Sequence, residues 1–255
     1  MQLHELTWPD VVSYLDRSRG IIIPMGSTEQ HGPTGLIGTD TICAEVIARG
    51  VGDRTDALVA PTIAYSQAQF NLSFPGTVSV RARTFMRLVT DIIESLASQG
   101  FTHFYCLNAH GANVAPVRSA FQDIHADRSL GRGDGGPLRC RLRSWWEPEP
   151  VASLRETLFA KGEGLHATPS EISITQAILP DAARKAELAA APPLAPDLRD
   201  RHAGDNHLDA DSHRAMFPDG RVGSDPSLAD RVQGDRLIET AVAALADDYL
   251  RFLDE

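Results

Sequence analysis

Ile21-Ile-Ile-Pro-Met25 runs directly into Gly26-Ser-Thr-Glu-Gln-His-Gly-Pro-Thr-Gly-Leu-Ile-Gly-Thr-Asp40. The first stretch is short and β-branched, which suits a strand buried on both faces of a parallel sheet. The second crowds a glutamate, a histidine and an aspartate into a glycine-rich loop and leads into a helical pattern. A strand that ends in such a loop and gives way to a helix is the opening unit of an α/β fold, and the rest of the chain repeats that rhythm.

Residues 41–50 place Ile42, Val46 and Ile47 on one helical face and stop at a glycine. Residues 57–64 read as a second strand. From Arg81 onward Phe85, Leu88, Val89, Ile92, Ile93 and Leu96 recur at helical spacing, with Gly100 as the stop. Residues 101–107 predict a strand, 113–126 a helix and 138–145 a further strand. This alternation implies an α/β fold with a largely parallel β-sheet flanked by helices. Further on, 168–179 reads as a short helix, and the last helix is expected to start near Pro226. Between these two, residues 189–196 are rich in Ala and Pro and 201–223 form a polar loop. No repeat or interdomain linker shows, so residues 1–255 are expected to form a single domain.

Composition narrows the function. Apolar content of 42% with 23% charged residues is that of an ordinary globular protein. A formal net charge of −10 argues against a nucleic-acid partner, because phosphate binding needs a basic footprint. Cys43, Cys106 and Cys140 lack a Cys-x-x-Cys spacing and read as small apolar residues of a reduced compartment. The amino terminus lacks a basic start and an apolar core, and no apolar run approaches the roughly 18 residues of a membrane span. A cytoplasmic protein with no membrane partner is the expectation.

Open α/β sheets place their sites beyond the carboxyl ends of the strands. Here these are the loop after Met25, with Glu29, His31 and Asp40, and the loop Asn108-Ala-His-Gly-Ala-Asn113, with His110. Mixed carboxylate and imidazole ligation suits Zn²⁺, Mn²⁺ or Fe²⁺ rather than Ca²⁺ or Mg²⁺. Each residue also has a plainer reading: Asp40 as a helix N-cap, Glu29 as a solvated carboxylate, His31 and His110 as structural imidazoles. Their joint placement after two strands favours the metal. Other chemistries lack their signatures, since there is no Gly-x-Ser-x-Gly elbow and no Gly-x4-Gly-Lys-Ser/Thr loop. Gly131-Arg-Gly-Asp-Gly-Gly136 reads as a turn. His202, His207 and His213 with Asp205, Asp209 and Asp211 read as a solvated loop rather than a metal site.

Gly26-Ser-Thr-Glu-Gln-His-Gly with Gly38-Thr-Asp40 resembles the signature of the creatininase (creatinine amidohydrolase) family. Phe74-Pro-Gly-Thr77, the Asn-x-His-Gly-x-Asn stretch and Gly223-Ser-Asp-Pro-Ser-Leu228 match further family motifs in order. The resemblance implies two divalent metal ions, zinc first and Mn²⁺ or Fe²⁺ as alternatives. Glu29, Asp40 and His110 would bind one and His31 and Asp40 the other, with Asp40 bridging. It implies hydrolysis of a cyclic or linear non-peptide C–N amide bond by metal-activated water, and a homo-oligomer, often a hexamer. A second branch, the peptidases of mycofactocin maturation, implies a short peptide instead, and a non-catalytic metal-binding relative is a third reading.

The departures from the pattern are specific. Where creatininase has a metal-binding Glu two residues after the ligand His, this chain has Ala112. Glu171, in His166-Ala-Thr-Pro-Ser-Glu171, is a substitute carboxylate, yet Thr168-Pro-Ser-Glu171 is equally a capping box. His166 matches the family histidine that moves a proton, and Glu163 is placed to orient it or to lie in solvent. Trp145 and Trp146 read either as substrate-side aromatics or as core. The family's second substrate tryptophan has no counterpart here, which puts creatinine itself in doubt.

Overall fold

The computed structural model describes residues 1–131, 136–184, 186, 188, 190, 194, 198 and 208–255. Among them, four strands form a parallel sheet in the order β2-β1-β3-β4. These are β1 (Gly20–Met25), β2 (Leu58–Val59), β3 (His103–Asn108) and β4 (Arg139–Ser144). β1 and β3 pair over their whole length, from Gly20↔His103 to Met25↔Asn108. Their carboxyl ends therefore finish at one level, and the loops that follow emerge side by side.

Strand alternation sorts the core onto two faces. Ile22, Val59, Tyr105 and Leu107 pack with residues of α2 (Thr39–Thr55), α5 (Glu149–Phe159), α6 (Pro169–Ile178) and the C-terminal helix Arg231–Leu253. Ile21, Ile23, Met25, Leu58, Phe104 and Cys106 pack with α1 (Trp8–Leu15), α3 (Ala82–Ala97) and α4 (Val114–Ser129). Helices cover both faces, so β1 is buried throughout, as its continuous apolar run requires. The short helix α7 (Ala210–Met216) docks on the turn Gln69–Asn71, and the C-terminal helix is α8.

The strand expected over residues 57–64 is shorter, and the reason is proline. Regular pairing of β2 with β1 stops at Val59. A proline has no amide hydrogen to donate. Pro24 in β1 faces the same edge, because its carbonyl accepts from Ile63 N at 3.0 Å on that side. The donor missing from Pro24 breaks the ladder, and pairing resumes only as the isolated bridge Met25↔Ile63.

Other boundaries move for identifiable reasons. α2 does not stop at Gly50 but continues to Thr55. A Cβ on Gly50 would lie 2.5 Å from Val242, so this glycine lets α8 approach rather than ending the helix. Pro226–Leu228 is one 3₁₀ turn, and α8 begins at Arg231, where Asp230 accepts from Val232 N at 2.9 Å and Gln233 N at 3.2 Å. The polar loop expected over 201–223 contains α7, capped by Asp209 on Ser212 N at 3.0 Å. His213 is buried there against Phe70 and Phe217 instead of solvated. His202, Asp205 and His207, with most of 131–136 and 189–196, lie outside the described residues. α1 and α5 are helices that the periodicity did not announce. α1 nevertheless carries a readable start, since Thr7 and Asp10 form a capping box with Pro9 in the first turn.

Candidate metal centre

The loops after β1 and β3 converge at the carboxyl end of the sheet. Gly26 makes this possible locally, because a Cβ there would lie 2.5 Å from Thr41 N and 2.6 Å from the Asp40 carbonyl carbon. Its bare backbone lets the end of β1 touch the first turn of α2, and Asp40 projects from that turn. On the neighbouring strand Asn108 fixes the backbone of His110 twice, accepting from His110 N at 3.1 Å and donating to His110 O at 2.9 Å. Asn113 ties the two loops together by donating to Gly26 O at 3.0 Å and Asn108 Oδ1 at 3.1 Å. The Asn-x-His-Gly-x-Asn stretch is thus a scaffold for one imidazole.

The outcome is a buried cluster of carboxylates and imidazoles. Asp40 divides its oxygens: Oδ1 lies 3.0 Å from His31 Nε2, and Oδ2 lies 2.9 Å from His110 Nδ1. Glu29 Oε1 lies 3.1 Å from His110 Nδ1, and its Oε2 accepts from Asn71 Nδ2 at 2.9 Å. Ser27 Oγ donates to Asp40 Oδ2 at 2.8 Å. Asp40 sits in the first turn of α2 but makes no side-chain cap there, so the N-cap reading fails for it.

Glu171 does two things at once. Its Oε1 accepts from Thr168 N at 2.6 Å, completing the capping box of α6, while Oε2 lies 3.9 Å from His31 Nε2. Cap and approach to the centre are not alternatives, because a carboxylate has two oxygens. His166 arrives from the same segment. Its Nε2 lies 2.7 Å from Gln30 O, its Nδ1 lies 3.7 Å from Glu29 Oε1, and its ring stands 4.5 Å from that of His31.

The expectation that Glu163 orients His166 is corrected. Glu163 Oε1 bonds instead to Arg155, through Nε at 2.9 Å and Nη2 at 2.8 Å, and to the Ser170 hydroxyl. It fastens α5 to the start of α6, and the Gln30 carbonyl takes the orienting role. Of the two tryptophans, Trp145 is buried in the core, and both line the cavity described below.

Electrostatics follow from burial and proximity. Burial by itself would raise Glu29, but His110 and His166 hold its carboxyl below the ordinary range. Burial would likewise raise Asp40, and the two imidazoles beside it press it far below the ordinary range. Burial would lower His31, yet Asp40 and Glu171 lift it to about 10, and Glu29 and Asp40 lift His110 in the same way. His166 differs: burial and the neighbouring His31 bring it down to about 4. Burial raises Glu171 to about 7 against the pull of His31.

These residues fit a metal centre, and the hydrogen bonds say why. A carbonyl oxygen only accepts, so each ring nitrogen that meets one carries the hydrogen. His31 Nδ1 meets Glu29 O at 3.1 Å, His110 Nε2 meets Gln67 O at 2.8 Å, and His166 Nε2 meets Gln30 O. A neutral ring would point its remaining lone pair at a carboxylate oxygen, so either a proton or a metal cation belongs between them. Glu29 Oε1 is also buried with no hydrogen-bond partner. Nitrogen and oxygen ligands each about 2.0–2.2 Å from a Zn²⁺ stand roughly 3 Å apart, close to the separations around Asp40. Three groupings bring ligand atoms within 4.8 Å of one another: Glu29–Asp40–His110, His31–Asp40–Glu171 and Glu29–His31–His166.

The cluster opens into a cavity of about 640 Å³, lined also by Phe70, Gly111, Ala112, Ala115, Arg118, Trp145, Trp146 and Arg155. Sequence reading missed Asn71, Ser27 and the carbonyls of Gln30 and Gln67. Asn71 had a signal, since it lies just before Phe74-Pro-Gly-Thr77, but a carbonyl carries no sequence signal at all.

Comparison with known proteins gives the family and the fold. A family model described as creatinine amidohydrolase matches residues 4–249. The mycofactocin precursor peptide peptidase of Mycobacterium ulcerans is 30% identical over 253 residues, 95% of this chain and 83% of its own length. The creatinine amidohydrolase of Pseudomonas putida is 25% identical over 257 residues, 95% of this chain and 94% of its own. A solved creatininase variant described as Zn-Zn type has a TM-score of 0.79 at 24% identity, covering 97% of this chain and 96% of its own.

Proposed function

Because this chain belongs to the creatininase family, a family of hydrolases, we propose that it cleaves a non-peptide C–N amide bond, cyclic or linear, at a centre of two divalent metal ions. Zn²⁺ is the first choice, with Mn²⁺ or Fe²⁺ as alternatives. The observation that carries this reading is the division of Asp40, one oxygen toward His31 and the other toward His110. One carboxylate serving two imidazole nitrogens on opposite oxygens is what a bridging ligand needs. Glu29, Asp40 and His110 would hold one ion and His31, Asp40 and Glu171 the other, so that Glu171 replaces the carboxylate lost at Ala112. When bound, the ions supply Lewis-acid polarisation of the amide carbonyl and lower the pKa of water.

The chain's own residues supply the proton traffic. His166 is held down to about 4, so its ring is neutral near pH 7. Its Nε2 hydrogen is committed to Gln30 O, which leaves Nδ1 to take a proton from water and pass it to the departing nitrogen. General acid–base help of this kind contributes about 10²–10⁴-fold. Glu29 and Asp40, ionised at all ordinary pH values, keep the centre anionic and ready for cations. Trp145 and Trp146 give the cavity an apolar wall, and burial of the cluster keeps bulk water from screening it.

Elemental analysis of the purified protein, combined with hydrolysis of a panel of small cyclic and linear amides, tests the proposal. About two metal ions per chain and turnover of at least one amide are expected, and a metal-loaded protein inert to the whole panel would refute it. The 30% identity to a mycofactocin precursor peptide peptidase favours a second reading, hydrolysis of a short peptide. Short peptides assayed beside the small amides separate the two. We also infer a cytoplasmic homo-oligomer, which light scattering at micromolar concentration checks. Among the described residues no helix is long and apolar enough to cross a membrane.

A further inference from the structure

We propose that Arg118 forms a carboxylate-binding subsite in this cavity, so that the substrate carries a carboxylate group set apart from the bond that is cleaved. This deepens the hydrolase reading and rests on it. The charged residues lining the cavity are otherwise engaged. Glu29, Asp40 and Glu171 face the histidines of the centre. Glu147 accepts from Ser144 N at 3.0 Å. Arg155 also lines the cavity, but Glu163 neutralises it and its guanidinium lies 5.5 Å over the Trp145 ring, which makes it a support for that wall. Arg118 is exposed and has no hydrogen bond or ion pair with any described residue. In a chain of net charge −10, a cation left unpaired in a cavity is against the average.

Its placement suits a substrate that spans two ends. Arg118 belongs to α4, whose first residues Val114 and Ala115 line the same cavity directly after His110, Gly111 and Ala112. Residues three and four apart share a helix face, and four residues of helix advance about 6 Å. An amide nitrogen and carbonyl at the metal ligands would thus have a small-residue surface beside them and a guanidinium one turn further along. Gly111, Ala112 and Ala115 leave room for the substrate body between. A single unpaired guanidinium offers a planar fork that matches a carboxylate. With no second unpaired cation among the described lining residues, a monoanion fits better than a phosphate dianion. Either a small amide acid or the free C-terminus of a short peptide supplies this group.

The test uses the full metal-loaded protein and matched pairs of probes: N-acetylglycine with N-acetylglycinamide, and acetyl-trialanine with its C-terminal amide. Binding is read by calorimetry and turnover by amine release, for wild type, Arg118→Gln and Arg118→Lys. Metal content and melting temperature establish that the variants are folded. The expected result is a wild-type preference for the acid of about tenfold or more in at least one pair, since hydrogen bonds to charged groups are worth that much. The preference should fall below about twofold in Arg118→Gln and be partly kept in Arg118→Lys. The pair that shows it identifies the source of the carboxylate. A wild type that favours neither acid, or a preference that survives in Arg118→Gln, overturns the subsite. Hydrolysis without acid preference refutes the subsite and spares the hydrolase reading. Arg118-dependent binding without hydrolysis of any probe keeps the subsite and refutes that reading.

Discussion

The two halves of the centre are held in place by different physics. Glu29, His31, Asp40 and His110 stand on loops that leave β1 and β3, and the paired ends Met25↔Asn108 set where those loops begin. His166 and Glu171 stand on a segment that belongs to no strand of the sheet. Leu165 N donates to Val222 O at 2.8 Å, Ser224 Oγ donates to His166 O at 2.6 Å, and the capping box of α6 anchors the other end. The backbone turns through positive φ on both sides of His166, at Gly164 (65°) and at Ala167 (55°). For alanine that conformation costs about 1–2 kcal/mol, which the surrounding hydrogen bonds must offset. A ladder templates the first half, whereas cross-links between side chain and backbone template the second. Damage to the first should therefore cost both ions, and damage to the second should cost proton transfer, a single ion or local stability.

The largest effect is expected at Asp40. Asp40→Ala removes the carboxylate that sets one oxygen against His31 and the other against His110, so both ions should be lost and activity with them. Mass spectrometry of metal content that still finds two ions per chain would sink the bridging role. Next comes His166→Ala, which should keep its metal while turnover falls by about 10²-fold or more. Unchanged turnover would take the residue out of the mechanism, and metal loss would make it a ligand.

Glu171→Gln sharpens the comparison within one side chain. The amide oxygen still accepts from Thr168 N, so the cap survives, but the anion facing His31 is gone. One of the two ions should be lost with little change in stability. Full metal content in that variant would mean that Glu171 only caps.

The metal-free protein should reveal its protons through pH. Burial would lower His31, but Asp40 and Glu171 raise it from 6.5 to about 10. A raised pKa stabilises the folded chain fully below the unfolded value, and that gain is lost as pH climbs through the folded one. Chelated protein should therefore melt at steadily lower temperature from about pH 6.5 to about pH 10. Metal-loaded protein should change less, because a ligated ring nitrogen holds no proton to lose. A chelated melting temperature that stays level across this window counts against the His31–Asp40 pairing. The smallest effect is expected from Thr168→Ala, which removes the hydroxyl that accepts from Glu171 N at 3.3 Å. Its cost should be about 1 kcal/mol by denaturant unfolding, with metal content unchanged. Loss of metal here would show that the cap also positions the centre.

Legibility in the sequence followed the same division. The half on the strand ends was readable because strand, glycine-rich loop and ligand lie next to one another in the chain. Glu171 left two readings open, and the structure shows one oxygen in the cap while the other lies 3.9 Å from His31 Nε2, a division that sequence order does not reveal. Glu163 was misassigned because three residues of sequence distance do not show that Arg155, eight residues away, would claim its carboxylate. The strand over 57–64 was overextended because apolar residues were counted while the missing amide of Pro24 on the partner strand was not.

By itself the sequence determined the parallel α/β architecture, the strand ends that carry the candidate ligands and the kind of metal that such residue types suit. These rest on local order: β-branched runs, helical periodicity and residue types whose chemistry does not depend on their neighbours. Only the tertiary structure decided which atom faces which. It chose the tautomers of His31, His110 and His166 through carbonyls of Glu29, Gln67 and Gln30, and it split Asp40 and Glu171 between two partners each. Hydrogen bonds act over about 3 Å in space and take no account of distance along the chain. Ligand geometry, proton location and the free guanidinium of Arg118 became visible only once the chain had closed on itself.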